Sequence, residues 1–237
     1  MDDNIPKVPS VNNDYCIKEL EDGTKYFYLD KNIYLNEEII KEMEKYNAIE
    51  FGYNFNQRVD NLPKDLKKLK FGNKFNQPVD NLPLGLQEIT FGCDFDQIID
   101  NLPSGLKYIK FNDEFNQPIN NLPLGLQKLT FSYNSQFNQS INNLPSGLQS
   151  LTFGYNSQFN QQVNNLPSRL EILSFGSKFN QSIDNLPYGL KTLSFGSKFN
   201  QSIDNLPYGL KTLTLSETYD KPLNHLPASV KIEKYWG

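Results

Sequence analysis

At 237 residues and 38% hydrophobic composition the chain is long enough to bury a sizeable core. Its net charge of −4 is uneven: residues 1–50 carry twelve Asp/Glu against six Lys, and the remainder is close to neutral. That balance excludes the clustered Lys/Arg of a nucleic-acid surface. The two cysteines, Cys16 and Cys93, lie too far apart for a paired framework, which points to a reducing compartment and away from disulfides and zinc.

Only two alanines and two arginines occur, against many Lys, Asn, Phe and Ile, so Lys-for-Arg choices here carry little functional information. The N-terminus is polar, without the apolar stretch of a signal peptide, and no apolar run is long enough to span a bilayer. The expected location is cytoplasmic, with no membrane partner. The sequons at Asn138, Asn180 and Asn200 read as by-products of a repeat.

Residues 1–14 read as disordered, and residues 15–50 as an N-terminal cap. Tyr15–Leu29 is predicted to form a hairpin turning at Asp22-Gly23. Asn36 is placed to N-cap a helix over Glu37–Tyr46, with Ile39, Ile40 and Met43 as its apolar face. Glu37 and Glu38 suit the positive end of that helix. Ala48–Gly52 then supplies a first repeat-like strand.

From there the chain repeats itself. Phe55-Asn56-Gln57, Phe75-Asn76-Gln77, Phe95-Asp96-Gln97 and Phe115-Asn116-Gln117 open four units. Phe137, Phe159, Phe179 and Phe199 open four more, and Tyr219-Asp220-Lys221 opens a degenerate ninth. The period is 20, stretched to 22 in the units starting at Phe115 and Phe137, and residues 175–193 and 195–213 are identical. A period this short means a stacked solenoid, spanning 51–218, with residues 219–237 as final repeat and cap.

Within a unit, Leu106-Lys107-Tyr108-Ile109-Lys110-Phe111 alternates as a pleated strand, with Ile109 and Phe111 inward and Tyr108 and Lys110 outward. The preceding Leu-Pro-x-Gly fits a type I turn with Pro second and Gly fourth, a place where Asp65, Arg169 and Ser229 can substitute. A proline in every unit, and a second at Pro78, Pro118 and Pro222, limits the return side to extended or 3₁₀-like segments. At the far end Glu233 is expected in the inward Leu position, so that the repeat stops.

The strings Phe75-Asn76-Gln77-Pro78-Val79 and Phe115-Asn116-Gln117-Pro118-Ile119, each followed by Leu-Pro-x-Gly-Leu-x-x-Leu/Ile-x-Phe, resemble FNIP repeats. These are leucine-rich-repeat relatives of giant amoebal viruses and social amoebae. The resemblance covers residues 51–227. It implies a mainly β, leucine-rich-repeat-like right-handed coil with a parallel sheet on one face, and a role in protein–protein interaction, in the host cytoplasm if the source is viral. Some viral members resemble ubiquitin-ligase adaptors with an F-box before the repeats. The first fifty residues here show no Leu-Pro-x-Glu-Ile/Leu opening of that kind.

No nucleophile–base pair, phosphate loop or metal-ligand spacing appears, so neither enzyme activity nor a cofactor nor a metal is expected. His225 occupies a turn position filled by Asn61, Asn81 and Asn101 elsewhere, and Cys93 an ordinary loop position. The Asp60, Asp80, Asp100 and Asp184, Asp204 columns alternate with Asn120, Asn142 and Asn164, which favours turn chemistry over calcium binding or acid–base work. The asparagines after each Phe are expected to form an internal ladder onto backbone groups. Outward side chains are then the ones free to vary. Lys68, Lys70, Tyr108, Lys110 and Lys128, with Tyr133 and Tyr155 in the two longer loops, form the candidate surface for a protein partner of acidic character. A structural or oligomer-forming spacer, or the recognition part of a ubiquitin-ligase system lacking its own F-box, are the alternatives.

Overall fold

In every unit an apolar side chain alternates with a polar one over three to five residues, the pattern that buries one face of a strand. A computed structural model describes residues 15–19, 23–223, 226 and 230–236. It stacks these segments into one twelve-stranded sheet whose order follows the sequence. β1 (Tyr15–Glu19) and β2 (Lys25–Leu29) form an antiparallel hairpin, followed by α1 (Glu37–Met43). The remaining strands are parallel: β3 (Ala48–Phe51), β4 (Lys68–Lys70), β5 (Glu88–Thr90), β6 (Tyr108–Phe111), β7 (Lys128–Phe131) and β8 (Ser150–Phe153). Then come β9 (Ile172–Ser174), β10 (Thr192–Ser194), β11 (Thr212–Ser216) and β12 (Lys231–Tyr235).

The register never slips between repeats. Leu69, Ile89, Ile109, Leu129, Leu151, Leu173, Leu193 and Leu213 stand opposite one another, all buried. Two phenylalanine columns run beside them. Phe71 and Phe75 stack at 3.7 Å within one coil, and Phe71 meets Phe91 at 5.8 Å in the next. The same pairing recurs down to Phe195–Phe199 at 3.7 Å. Each ring thus finds partners in three directions, which an isolated unit cannot provide.

Glycine after the strand is a matter of space and not of backbone sign. A Cβ on Gly72 would lie 1.9 Å from the Gly52 carbonyl oxygen, and one on Gly92 1.8 Å from that of Gly72. Asn112 and Ser132 stand in place of this glycine after β6 and β7. The Ser132 N–H then donates to the Phe111 carbonyl at 2.9 Å.

The turn before each strand sits one residue later than expected. Leu66 N–H donates to the Pro63 carbonyl at 3.2 Å, and Leu86, Leu106 and Leu126 do the same to Pro83, Pro103 and Pro123. Pro is therefore the first residue of the turn and Gly the third. None of these glycines has positive φ, which is why Asp65 and Arg169 fit there. Ser229 lies outside the described residues.

At the N-terminus the hairpin forms, with Gly23 at φ +81° and its expected turn partner Asp22 outside the described residues. Asn36 caps α1 as anticipated, its Oδ1 accepting from Ile39 N–H at 3.0 Å. The helix stops at Met43, three residues short of Tyr46. Met43 is buried, and Ile39 and Ile40 pack beside it. The disordered reading of 1–14 and the turn role of His225 also fall outside the described residues.

At the other end β12 corrects the expected register. Ile232, not Glu233, stands opposite Leu213; Glu233 faces outward opposite Thr214, and Lys234 takes the phenylalanine position opposite Leu215. The core stops because a lysine replaces an aromatic ring, and Ile232 is left 39% exposed.

Candidate functional site

In-phase pairing turns the outward residues into straight rows across the sheet. One row reads Lys68, Glu88, Tyr108, Lys128, Ser150, Ile172, Thr192, Thr212. The next reads Tyr28, Glu50, Lys70, Thr90, Lys110, Thr130, Thr152, Ser174, Ser194, Thr214. Five of the seven candidate residues therefore share two adjacent rows over β4–β7.

Their charges are partly committed. Glu50 accepts from both Lys70 at 3.1 Å and Lys18 at 3.3 Å, and Lys68 pairs with Glu88 at 3.5 Å. The half-exposed Lys68–Glu88 pair contributes little to stability. Lys110 and Lys128 make no ion pair among the described residues. Lys128 instead sits over the Tyr108 ring, its Nζ 5.0 Å from the centroid. Burial raises the Tyr108 pKa, and the Thr130 hydroxyl beside it offsets part of that rise. Thr130 Oγ1 is itself buried without a well-formed hydrogen bond, the single such side-chain atom among the described residues. The middle of the face thus combines a half-buried phenol, two cations and an under-satisfied hydroxyl.

The two longer loops are built on buried serines. Ser135 and Ser157 accept the Phe137 and Phe159 N–H groups at 3.2 and 3.3 Å, which absorbs the extra residues without disturbing the core columns. Tyr133 and Tyr155 are raised above them and stack at 5.9 Å. A third ring, which the sequence did not single out, joins them. Tyr235 on β12 meets Tyr155 edge-on at 6.2 Å, and its hydroxyl donates to the Phe195 carbonyl, two coils back, at 3.0 Å. Nothing periodic announces this contact, because Tyr235 lies beyond the last repeat.

The asparagine ladder exists, though on a half-exposed lip of the coil and not in its interior. Asn56 Oδ1 accepts from Asn76 N–H at 2.9 Å and from Gln77 Nε2 at 3.1 Å, and the pattern repeats as far as Gln201, except that Asp96 accepts from Asn116 N–H alone. It begins one step earlier than the repeat, at Asn32, whose Oδ1 serves Asn56 and Gln57. The glutamine of the Phe-Asn-Gln string is explained by the same bond.

The aspartate column is also structural at its front. Asp60, Asp80 and Asp100 each accept from an asparagine Nδ2 of the next coil, Asn81, Asn101 and Asn121, at 3.0–3.1 Å. Their partner is a side-chain amide of the next coil and not a group of their own turn. The Arg58 guanidinium and then the Asn81 amide hold the Asp60 carboxyl below the usual carboxylate range. No cluster of metal-ligating side chains occurs among the described residues. Cys93 is half-buried in its loop, and burial followed by the Asp113 charge raises its thiol pKa. No described helix is long and apolar enough to cross a membrane.

A family model for the FNIP repeat matches residues 58–94, 95–134, 137–178 and 159–198. Among solved structures, one described as CroV588, a novel circular LRR protein, aligns at 39% identity with a TM-score of 0.78. The alignment covers 88% of this chain and 33% of that one, so the chain spans about a third of its length. A leucine-rich repeat protein from Bacteroides ovatus aligns at 12% identity over 96% of this chain and all of that one. Its TM-score of 0.15 is too low to bear on the fold. No curated protein matches the chain.

Proposed function

Because the chain belongs to the FNIP repeat family, a group of leucine-rich-repeat-like solenoids, we propose that it is a non-enzymatic scaffold that holds a protein partner on its outward sheet face. One observation carries the reading: packing, turns and the amide ladder occupy the recurrent side chains, and the outward rows are left free to vary. Lys68, Lys70, Tyr108, Lys110 and Lys128 stand out there against a background of Ser and Thr, and Tyr133 and Tyr155 extend the patch. A standard interface needs roughly 800 Å² per partner. Twelve strands at about 4.8 Å each give a face on the order of 55 Å long, ample for one. Lys110 and Lys128 favour an acidic partner whose association slows as salt rises. The proposed setting is the cytoplasm, consistent with two free thiols.

The test uses the full chain as bait in cell lysate, with mass spectrometry to identify what is retained. Two multiple variants are then compared. Lys68/Lys110/Lys128→Glu with Tyr133/Tyr155→Ala is expected to lose the partner, and Thr192/Ser194/Thr212→Ala to keep it. Retention by the first, or loss by the second, refutes the assignment.

A further inference from the structure

The rear of the aspartate column differs from its front. Asp184 and Asp204 accept from the hydroxyls of Ser182 and Ser202 in their own coils, and Asn205 does not bridge to Asp184 as Asn81, Asn101 and Asn121 bridge to Asp60, Asp80 and Asp100. Instead Asn185 and Asn205 line an open groove of about 470 Å³ together with both carboxylates. Its flanks are Tyr188 and Tyr208, at 90% and 89% exposure among the most exposed aromatic rings described. They occupy the turn position held by Lys64, Leu84 and Leu124 in some units and by Ser104, Ser146 and Ser168 in others, and are the aromatic rings at that place. Neither Tyr makes a ring contact with the other, although they stand in consecutive coils, so the groove between them stays accessible. No lysine or arginine lines it.

We propose that this groove, on the turn side of the last two full units, binds guanidinium groups of an arginine-bearing extended peptide. Each of the two identical units offers a phenol ring and a carboxylate. A planar delocalised cation uses both: it stacks on the ring face and donates to the carboxylate, which an ammonium does less well. The spacing also fits. The step between these coils, measured at the Phe179 and Phe199 rings, is 6.1 Å. Side chains on one face of an extended peptide repeat at roughly 6.8 Å, twice the rise per residue. Arginines two positions apart are therefore the spacing nearest to one coil step. This surface is separate from the outward sheet face and carries the opposite charge, so the two readings stand or fall independently.

The experiment is fluorescence anisotropy of a labelled Gly-Arg-Gly-Arg-Gly peptide with the full chain. Saturable binding is expected, weakened about tenfold or more when citrulline replaces both arginines. Tyr188/Tyr208→Ala and Asp184/Asp204→Asn are each expected to weaken it by about the same factor. These side chains lie on the surface, and an unchanged melting temperature shows that the variants remain folded. Thr192→Ala on the outward sheet face leaves this binding unchanged, and a loss there overturns the proposal. Equal binding of the citrulline peptide, unchanged binding by either double variant, or no saturable binding to the wild-type chain overturns the proposal.

Discussion

The front and rear halves of the solenoid share one backbone and differ in surface chemistry. From β4 to β7 the outward rows carry Lys, Glu and Tyr; from β8 onward they carry mostly Ser and Thr. Beneath both halves the leucine and phenylalanine columns repeat with the same spacing. Packing therefore does not explain the outward difference. A repeat separates the side chains that hold the fold from those left free to vary, and the two halves vary them differently.

The comparison can be broken most severely from inside. Phe137 is fully buried and neighbours four rings, Phe131 at 4.2 Å, Phe115 at 6.1 Å, Phe159 at 6.2 Å and Phe153 at 6.4 Å. Phe137→Ala is expected to cost about 3–5 kcal/mol in denaturant unfolding, with the loss spreading past one coil. Thr192→Ala on the outward face is expected to cost under about 0.5 kcal/mol. Comparable shifts for the two would erase the division between core and surface.

An intermediate effect is expected at the ladder. Asn116 Oδ1 accepts from Asn138 N–H at 2.9 Å and Gln139 Nε2 at 3.3 Å. Asn116→Ala leaves that N–H to water and should destabilise by about 0.5–1.5 kcal/mol. Asn116→Asp keeps the acceptor, as Asp96 already does for Asn116 N–H at 2.9 Å, and should cost much less. If both variants melt together, the bond is not what matters at that position.

The smallest effect is one of pH and belongs to the rear. Burial first, then Asp204 and Asp220, push the Tyr219 phenol up to about 12, and its hydroxyl donates to the Gln201 carbonyl at 2.9 Å. The folded state favours the neutral phenol. Its contribution is complete below the ordinary tyrosine pKa near 10 and is lost as pH rises towards 12. Melting curves between pH 9 and about 12 should show a loss that Tyr219→Phe reduces. An identical alkaline decline in the variant would assign it to other groups, such as the raised Tyr28 or Tyr108.

The solenoid, its inward columns and its outward rows were legible because each is written eight times over, and repetition averages away ambiguity. What failed did so where repetition runs out. The last strand offers only Val230 and Ile232 as apolar guides, so a one-residue slip put Glu233 where Ile232 belongs. The proline turn was displaced by one residue because Leu-Pro-x-Gly and Pro-x-Gly-Leu both contain an acceptable type I turn, and the carbonyl that accepts decides between them. Tyr235 and Asn32 act across coils from outside the repeat, and only coordinates place them. The candidate face was found by elimination, which identifies freedom to vary without showing what uses it.

The amide ladder has a consequence for how such a chain lengthens. Each asparagine carbonyl serves the coil after it and each Asn N–H is served by the coil before, so the bond pattern is indifferent to how many coils intervene between the ends. Adding one whole unit at the DNA level leaves no donor without an acceptor and shifts no strand out of register. Residues 175–193 and 195–213, identical in sequence, record such an event. The same event copied Tyr188 into Tyr208. In this architecture gene duplication enlarges a surface in discrete increments, and can double a contact point before selection has altered a single residue.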